Sequence, residues 1–361
     1  MITPHHARQA ADAELLRPCD GACRGAHPAG GHQRFHNLKL AVGRSLFHFT
    51  MLTNLVNQRQ ARRRGVFLAI VVGATWSAHA VAQQPARPDA GLPSPAAAPA
   101  SRAIKLRDQP YGPHRLQRMD VYLPPSRSGA APAPVIVMAH GGGWRRGDKA
   151  MPGVAGDKAA RWVAAGAVLV SINYRTLPEA PPLQQAQDVA RAIAAVQQRA
   201  PGWGADPRRV VLMGHSAGAH LMALVASSAA VRAQAGAPLQ PWLGAVLLDS
   251  AALDVPMTMQ ARHPSLHDDA FGADPAAWPA VSPWHQLDGP TPPVLVVCSP
   301  RRPQACPQAR HYADKAASLG TRASVLPVDL SHGQINAKLG EPGAYTDAVE
   351  GFLRRIGGLP G

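Results

Sequence analysis

Residues 210–224 read Val-Val-Leu-Met-Gly-His-Ser-Ala-Gly-Ala-His-Leu-Met-Ala-Leu, an apolar run that enters a Gly-x-Ser-x-Gly pentapeptide and a second apolar run that leaves it. A serine at a sharp strand-to-helix turn holds a strained positive φ, and the residues two positions away must be small because the two backbones nearly meet there. Gly214 and Gly218 satisfy that requirement around Ser216. The first turn of the following helix also directs N–H groups toward an anion above the serine. The stretch therefore predicts a nucleophile elbow, with a strand before Ser216 and a helix after it.

A glycine-rich motif lies upstream of this elbow. The strand-like run 134–139 leads into His140-Gly141-Gly142-Gly143-Trp144. Acyl transfer to a serine builds a tetrahedral oxyanion, and preorganised N–H donors around that oxyanion lower the barrier. Glycines let the backbone approach closely enough to donate. A strand, a glycine-rich loop and then an elbow is the order expected of an α/β-hydrolase with an HGGG-type oxyanion loop.

The general base is expected to be a histidine that follows the last strand. The strand-like run 323–328 leads into Asp329-Leu330-Ser331-His332, so His332 is predicted to take the Ser216 proton and return it to the leaving group. The remaining histidines fit less well, because they lie in a helix-like stretch (His311), in a proline-rich insertion (His263, His267, His285) or beside other motif residues (His140, His215).

Six motifs point to one protein family. They are His140 to Trp144, Gly147-Asp148-Lys149, Asn173-Tyr174-Arg175, Gln187-Asp188-Val189, Asp206-Pro207 and Gly214 to Leu221. Together they resemble the carboxylesterase and kynurenine-formamidase-like branch of the α/β-hydrolases. The resemblance implies a serine nucleophile, no metal or organic cofactor, and an oxyanion hole built from backbone N–H groups of Gly141, Gly142, Gly143 and Ala217.

The carboxylate that should orient His332 departs from the usual pattern. In most such enzymes it follows the strand before the histidine strand, here 293–297, yet residues 298–306 contain no carboxylate. An acid can also reach the histidine from the preceding strand, and Leu248-Asp249-Ser250-Ala251 resembles a string in pancreatic-type lipases. Asp249 is therefore the first choice, although an aspartate here could instead cap the following turn. Asp254 is the second choice, followed by Asp329, Asp288 and a dyad without any acid.

The coarse pattern after residue 101 predicts one domain of α/β-hydrolase fold, with a mostly parallel central sheet flanked by helices. Strands are predicted near 117–123, 135–139, 167–172, 209–213, 244–248, 293–297 and 323–328, and helices near 154–165, 184–199, 217–230, 307–319 and 344–356. Apolar strands that alternate with helices indicate a parallel sheet whose site lies at the carboxyl ends of the strands. Residues 255–292 interrupt the alternation and are predicted to form a short cap over the pocket. The alternative is that their aromatic side chains plug the edge of the domain.

The N-terminal part of the chain indicates export. Arg62-Arg63-Arg64 precedes the apolar run 66–74, and Ala80-Val81-Ala82 offers the small residues that signal peptidase requires. Residues 51–82 are therefore predicted to be a signal peptide, because the apolar run is short for a membrane anchor. Residues 1–50 are expected to be a non-native or disordered extension before Met51, 83–101 an Ala- and Pro-rich linker, and 102–361 the catalytic domain. The mature protein is expected to be periplasmic or secreted.

Charge and composition restrict the partners. The full chain carries a formal net charge of +15, and removing residues 1–82 leaves 27 basic and 19 acidic residues, a net charge of +8. The remaining arginines are scattered and lack the dense clusters with interleaved aromatic residues of a nucleic-acid binder. Cys19, Cys23, His27 and His32 have a spacing that matches no zinc module, so no metal site is predicted.

Two cysteines follow the predicted signal peptide, Cys298 and Cys306, eight positions apart. An oxidising compartment favours their pairing, and a short closed loop should stabilise the fold by roughly 2 to 3 kcal/mol. A disulfide is therefore predicted, which would rigidify the loop where the usual acid is missing. The alternative is a buried Cys298 and an incidental Cys306.

The sequence thus predicts an exported serine hydrolase that cleaves small-molecule carboxylic esters of small to medium acyl chain through an acyl-enzyme. Ser216 attacks, His332 transfers the proton, and Asp249 or Asp254 orients the imidazole. Two rivals stay open. One is hydrolysis of an aryl formamide or peptide amide by the same machinery, and the second is a hydrolase-fold protein that has lost catalysis and binds a ligand. The oligomeric state is not predicted.

Overall fold

The computed structural model describes residues 104–125, 131–234, 236 and 238–360. The predicted signal peptide, the extension before it and the linker lie outside the described residues. Within the described part, eight strands form one sheet in the order β1-β2-β4-β3-β5-β6-β7-β8. The strands are β1 (Ile104–Pro110), β2 (Arg118–Leu123), β3 (Ala133–Ala139), β4 (Val168–Ile172), β5 (Ala205–His215), β6 (Gly244–Leu248), β7 (Val294–Cys298) and β8 (Ala323–Pro327).

The sheet is mixed at one edge and parallel elsewhere. Strand β2 pairs antiparallel with both β1 and β4, whereas every other neighbouring pair is parallel. Strands β3 to β7 are buried along their whole length, apart from the amino-terminal part of β5. Both faces of a parallel sheet must be covered by crossover helices, and the apolar composition of these strands meets that demand. The predicted mostly parallel sheet is confirmed.

Helices cover both faces of the sheet. They are α1 (Pro152–Ala164), α2 (Pro182–Arg199), α3 (Ala217–Ser227), α4 (Ala229–Ala233), α5 (Val255–Gln260), α6 (Leu266–Phe271), α7 (Pro283–Gln286), α8 (Ala305–Ser318), α9 (His332–Ala337) and α10 (Ala344–Arg355), with 3₁₀ turns at Ala200–Trp203 and Trp278–Val281. Proline occupies the first turn of α1 and of α2, where its missing N–H costs no intrahelical bond.

The two cores follow the alternation of side chains along the strands. On one face, Val135 and Val137 of β3 belong to a cluster with apolar side chains of α2, α3 and α8. On the opposite face, Ile136 and Met138 belong to a cluster with side chains of α1, α9 and α10. The strand ends between these cores are therefore held rigidly, and the loops that follow them are positioned by the packing.

Three differences from the sequence prediction have local causes. Strand β1 was not predicted, because it lies at the sheet edge and most of its residues stay at least partly exposed. The helix predicted over 217–230 is divided at Ser228, which has extended backbone dihedrals and whose side chain accepts the N–H of Val231 as the N-cap of α4. The sequence prediction also assigned no helix to the cap at 255–292, which contains three short helices and one 3₁₀ turn, each too short for a periodic signal.

The predicted disulfide is present. The sulfur atoms of Cys298 and Cys306 are bonded, with their Cα atoms 5.1 Å apart. Cys298 is the last residue of β7 and Cys306 lies in the first turn of α8, so the bridge closes the connection between these two elements. Both side chains are buried.

Crossing a bilayer demands a helix that is both long and apolar, and no helix in the described part of the chain is both.

Candidate active site

Ser216 occupies the sharp turn between β5 and α3 with φ 56° and ψ −119°. Its N–H donates to the Leu248 carbonyl at 2.8 Å, which holds the turn against the end of β6. A Cβ on Gly214 would collide with the Gly218 backbone, and a Cβ on Gly218 would collide with the carbonyls that end β3. The two glycines are therefore required by space, as the pentapeptide predicts.

His332 begins helix α9, beyond the carboxyl end of β8. Ser331 caps that helix: its side chain accepts the Gln334 N–H, and the Gln334 side chain accepts the Ser331 N–H in return. This capping box fixes where the helix starts and so fixes the direction of the first side chain. His332 Nε2 lies 2.9 Å from Ser216 Oγ, a distance at which a hydroxyl can donate to the ring.

Asp249 follows β6 and contacts the opposite side of the same ring. Its Oδ2 lies 2.6 Å from His332 Nδ1. An ionised carboxylate can only accept, so Nδ1 carries the proton and Nε2 is left free to accept from Ser216. Asp249 has a φ of 53°, in the left-handed region that non-glycine residues seldom adopt. The structure thus brings together the three residues predicted first: Ser216, His332 and Asp249.

The Asp249 carboxylate is completely buried, yet several donors compensate for its lost hydration. Besides His332, the Ser299 N–H donates to Oδ1 at 2.8 Å and Arg302 Nη1 donates to Oδ2 at 2.8 Å. Burial raises the pKa of this carboxyl, but the His332 hydrogen bond, the Arg302 charge and the Ser299 N–H outweigh burial and hold the pKa below its usual value. Asp249 is therefore ionised at neutral pH.

The remaining candidate acids lie elsewhere. Asp254 caps α5 by accepting the Met257 N–H, and its second carboxylate oxygen lies 3.2 Å from His311 of α8. Asp329 pairs with Arg301 at the surface, 2.6 Å from its Nε. Asp288 is exposed at the end of the insertion. None of the three is among the hydrogen-bond or ion-pair partners of His332 within the described residues.

Arg302 is a site residue that the sequence prediction missed. It lies in the loop after β7, where the usual carboxylate is absent, and its Nη1 also contacts the Asp249 carbonyl oxygen at 2.8 Å and His332 Nδ1 at 3.0 Å. A basic residue in the loop that lacks the acid was the available signal. Its use depended on knowing that this loop lies against the end of β6.

The glycine-rich loop lies directly above Ser216. Gly142 and Gly143 have φ values of 131° and 61°, and a Cβ on Gly141 would come within 2.9 Å of the Ser216 Cβ. Within the described part of the chain, the backbone N–H groups of Gly141, Gly142, Gly143 and Ala217 donate to no other residue in the hydrogen-bond network. The four residues line the same pocket as Ser216, and unengaged donors beside a nucleophile suit an oxyanion.

Trp144 anchors this glycine-rich loop. It is buried with a φ of 58°, and its indole Nε1 donates to His220 Nδ1 at 3.1 Å. His220 in turn donates from Nε2 to the Val281 carbonyl at 2.7 Å. Burial lowers the pKa of His220 to about 4, so the ring is neutral and can accept and donate at once. One indole–imidazole chain thus joins the glycine loop, helix α3 and the 255–292 insertion.

His215, next to the serine, serves the backbone of the histidine loop. Its Nε2 donates to the His332 carbonyl at 2.9 Å. Burial, followed by the nearby His332, lowers the pKa of His215 to about 3, so it stays neutral. The residue before the predicted nucleophile therefore helps to hold the predicted general base.

An open pocket of about 1120 Å³ leads to Ser216 and His332. The glycine loop forms one wall, and the insertion contributes Leu266 and His267, which supports its prediction as a cap. Leu266 and Met151 are large apolar side chains that remain 40% and 51% exposed at this pocket. Apolar side chains beside a polar reacting centre suit an uncharged acyl or alcohol group.

Among the described residues, no group of three or more His, Cys, Asp or Glu side chains is arranged to hold a metal ion.

The residues that form this site belong mostly to a segment that matches a known protein family. Residues 119–301, which run from β2 to the loop after β7, match the family described as BD-FAE. The chain belongs to the BD-FAE family. This match includes the glycine loop, the elbow and Asp249, whereas His332 lies beyond it. The predicted membership of the α/β-hydrolases is confirmed.

Individual relatives include esterases. The chain is 31% identical to the esterase LipQ of Mycobacterium tuberculosis over 230 residues, which cover 60% of this chain and 53% of LipQ. It is 35% identical to the kynurenine formamidase of Danio rerio over 123 residues, which cover 34% of this chain and 39% of the formamidase. The chain thus spans about half or less of the length of these curated relatives.

A solved structure with the same fold is the apo form of esterase 2 from Thermogutta terrifontis. The two superpose with a TM-score of 0.57 over 75% of this chain and all of the esterase, at 23% sequence identity. The BD-FAE-family chain therefore has the α/β-hydrolase fold, with a mostly parallel sheet flanked by helices.

Proposed function

We propose that this BD-FAE-family protein is a serine esterase that hydrolyses carboxylic esters of small to medium acyl chain through an acyl-enzyme. One observation carries the proposal: a continuous hydrogen-bonded chain from Asp249 through His332 to Ser216 Oγ, beside a glycine loop with unengaged N–H groups. Esterase relatives support the same reaction class.

The residues divide the reaction between them. Ser216 Oγ attacks the ester carbonyl while His332 Nε2 takes its proton, and Asp249 stabilises the imidazolium that forms. The oxyanion accepts hydrogen bonds from Ala217 and from the glycine loop. The imidazolium then protonates the departing alkoxide, which leaves as the alcohol. Water, activated by the same imidazole, hydrolyses the acyl-enzyme and restores the Ser216 hydroxyl.

The pocket supports the choice of acyl group. Leu266 and Met151, two large apolar side chains that line it, remain exposed. An acyl chain of a few carbons can cover them, and each buried methylene stabilises binding by about 0.8 kcal/mol. Activity is therefore expected to rise from acetate to a medium chain and to fall for palmitate.

A panel of p-nitrophenyl esters from acetate to palmitate, assayed with an aryl formamide, tests this proposal. Wild-type protein should hydrolyse the short and medium esters, and Ser216→Ala should lose turnover while keeping its circular dichroism spectrum. A fluorophosphonate probe should label wild type and leave Ser216→Ala unlabelled. Folded wild type that is neither labelled nor active would refute the proposal and favour a ligand-binding protein.

The kynurenine formamidase relative favours a second candidate, amide hydrolysis of an aryl formamide. The same nucleophile and base serve both reactions, so only the pocket distinguishes them. A kcat/KM for the formamide that exceeds the best ester would decide for this candidate.

Export is a further part of the proposal. The sequence of residues 51–82 has the features of a signal peptide, and a buried disulfide is typical of proteins that fold in an oxidising compartment. Fractionation of the native host with peptide mapping of the mature protein tests it. Mature protein that begins near residue 83 in the envelope fraction is expected, and unprocessed protein in the cytosol would contradict export.

A further inference from the structure

Arg302 is the one cation with a hydrogen bond to the Asp249 carboxylate among the described residues. The same Nη1 atom lies 2.8 Å from Oδ2, 2.8 Å from the Asp249 carbonyl oxygen and 3.0 Å from His332 Nδ1. A single guanidinium thus contacts the backbone and side chain of the predicted acid and touches the ring that the acid orients.

We propose that Arg302 is a positioning residue for ester hydrolysis, which holds the Asp249 carboxylate in line with His332 from the loop where the usual acid is missing. The inference rests on the proposed function. In this arrangement, the loop after β7 does not supply the acid itself but supplies Arg302, the counter-ion of the acid.

The backbone conformation of Asp249 explains why Arg302 is needed to hold this residue. Its φ is 53°, and a left-handed conformation is unfavourable for a residue with a Cβ. Arg302 stabilises that conformation because it binds the carbonyl and the carboxylate of Asp249 at the same time. Without it, rotation of the carboxylate away from His332 would leave the ring free to adopt the opposite tautomer.

The loop that carries Arg302 is itself held at both ends. The Cys298–Cys306 bridge closes it, and the Arg302 N–H donates to the Ser299 carbonyl at 3.1 Å. Ser299 donates its N–H to the acid and its hydroxyl to the Leu330 carbonyl at 2.6 Å, two residues before His332. The loop therefore connects the predicted acid with the segment that presents the predicted base.

Charge gives Arg302 an effect that a purely structural residue would lack. When His332 becomes an imidazolium, the guanidinium 3.0 Å from Nδ1 repels it, and the guanidinium also offsets the Asp249 charge that attracts it. Removing Arg302 therefore favours the protonated ring in both ways. The acidic limb of the kcat/KM profile should move to higher pH in Arg302→Ala and stay in place in Arg302→Lys.

Four titratable groups surround this pair, and one of them, His267 of α6, also responds to Arg302, because burial and then the charges of His263 and Arg302 lower its pKa. His215, with a ring 4.5 Å from His332, is neutral because its pKa is about 3. Burial, and then the Asp249 charge, raise the pKa of Tyr345 of α10, so this phenol stays neutral. Burial lowers the pKa of Lys158 of α1 to about 7. The Lys158 charge lowers the pKa of His215, and Lys158 is present in every variant.

The test compares Arg302→Ala, Arg302→Lys and the control Arg301→Ala in the full chain with a p-nitrophenyl ester. Arg301 is the adjacent arginine and pairs with surface Asp329, so its removal should leave kcat and the profile unchanged. Arg302→Ala should lower kcat about 10- to 100-fold, the range of one charge-assisted hydrogen bond. KM should stay within about twofold, and the acidic limb should shift upward.

The outcomes separate the two proposals. If wild type shows no hydrolysis that depends on Ser216, the proposed function fails. If wild type is active and Arg302→Ala matches it in kcat and pH profile, the role of Arg302 alone is refuted. A loss of kcat with an unmoved profile, or a loss that Arg302→Lys shares together with a lower Tm, would make Arg302 structural and would also refute the inference.

Discussion

Asp249→Asn is the substitution that examines the proposed triad most directly. The amide has the shape of the carboxylate but carries two N–H donors and no charge. If the NH₂ group takes the position of Oδ2, it faces Arg302 Nη1 at 2.8 Å and His332 Nδ1 at 2.6 Å, both of which are donors in wild type. Turned so that its oxygen takes the Oδ2 position, it would instead direct its NH₂ group at the Ser299 N–H.

Either orientation of the amide leaves one donor opposed to another. With the NH₂ group at the Oδ2 position, the imidazole gains by carrying its proton on Nε2, and that tautomer cannot accept the Ser216 proton. With the oxygen there, Nδ1–H keeps an acceptor, but the NH₂ group opposes the Ser299 N–H and the charge that stabilises the imidazolium is lost. A loss of about 10³- to 10⁴-fold in kcat is expected, which corresponds to about 4 to 5.5 kcal/mol of transition-state stabilisation. KM should change little, because Asp249 is buried and is not itself among the residues that line the pocket.

Asp254→Asn provides the matched control. Asp254 is also buried and also follows β6, but it caps α5 and contacts His311. Its replacement should cost at most about 1 kcal/mol of stability and leave kcat within a few-fold of wild type. Initial rates with p-nitrophenyl butyrate, together with thermal unfolding of each variant, measure both effects. An Asp249→Asn enzyme within tenfold of wild type, or an equal loss in Asp254→Asn, would refute the assignment of Asp249.

Three further predictions concern the glycine loop, the disulfide and a buried lysine. Gly142→Ala should lower kcat at least about 100-fold, because the new Cβ would collide with the Arg146 carbonyl beside the oxyanion site. In Gly143→Ala the new Cβ would meet only Leu266, at 3.8 Å, so kcat should stay within about tenfold of wild type. Similar ester hydrolysis rates in the two variants would contradict this prediction. The double variant Cys298→Ala/Cys306→Ala should lose roughly 2 to 3 kcal/mol in urea unfolding, and an unchanged midpoint would show that the bridge does not stabilise the fold. Burial lowers the pKa of Lys158 to about 7. Between about pH 7 and 10, the unfolded chain therefore binds a proton that the folded chain has released. The free energy of unfolding should rise with pH in this range, by up to about 1.4 kcal/mol per pH unit. Lys158→Met should flatten that slope, and an equal slope in both proteins would contradict it.

The parts of the site that could be predicted from sequence are those fixed by local geometry. Gly214 and Gly218 are needed wherever a serine sits at a strand-to-helix turn, and the glycines after His140 are needed wherever backbone donors approach it. The position of His332 after the last strand follows from the order of strands in the sheet. Each of these requirements is satisfied by residues within a few positions of one another along the chain.

The acid could be narrowed to a few candidates with Asp249 as the first choice, but sequence alone could not decide among them, because the decision depends on a contact between distant segments. Asp249 and Asp254 both follow β6; Asp249 has a positive φ, and its carboxylate contacts His332, 83 residues away. Asp254 instead satisfies the end of α5. A pattern of residue types does not encode which of two nearby carboxylates turns inward and which one caps a helix.

The roles of His215 and His220 depend on their burial, and burial is a property of the packed fold that the sequence pattern does not show. His215 and His220 looked like ordinary motif neighbours in the sequence, yet both are buried and neutral and each joins two loops of the site. Strand β1 was missed for the opposite reason, since an exposed edge strand carries little of the apolar pattern that reveals the buried strands. The insertion was recognised as an interruption, but its short helices lack the length for a periodic signal.

The displaced acid and the arginine loop are best understood as one arrangement. Strands β6 and β7 are parallel neighbours, so their carboxyl ends lie about 4.8 Å apart at the same edge of the sheet, and a carboxylate from either strand can reach a ring above that edge. Placing the acid on β6 buries it completely, and a buried charge needs compensating donors. The loop after β7, no longer needed for an acid, supplies them through the Ser299 N–H and Arg302, and its disulfide keeps them in place. The position of the acid and the basic character of the neighbouring loop therefore depend on each other, and a change to one without the other should impair the proposed triad.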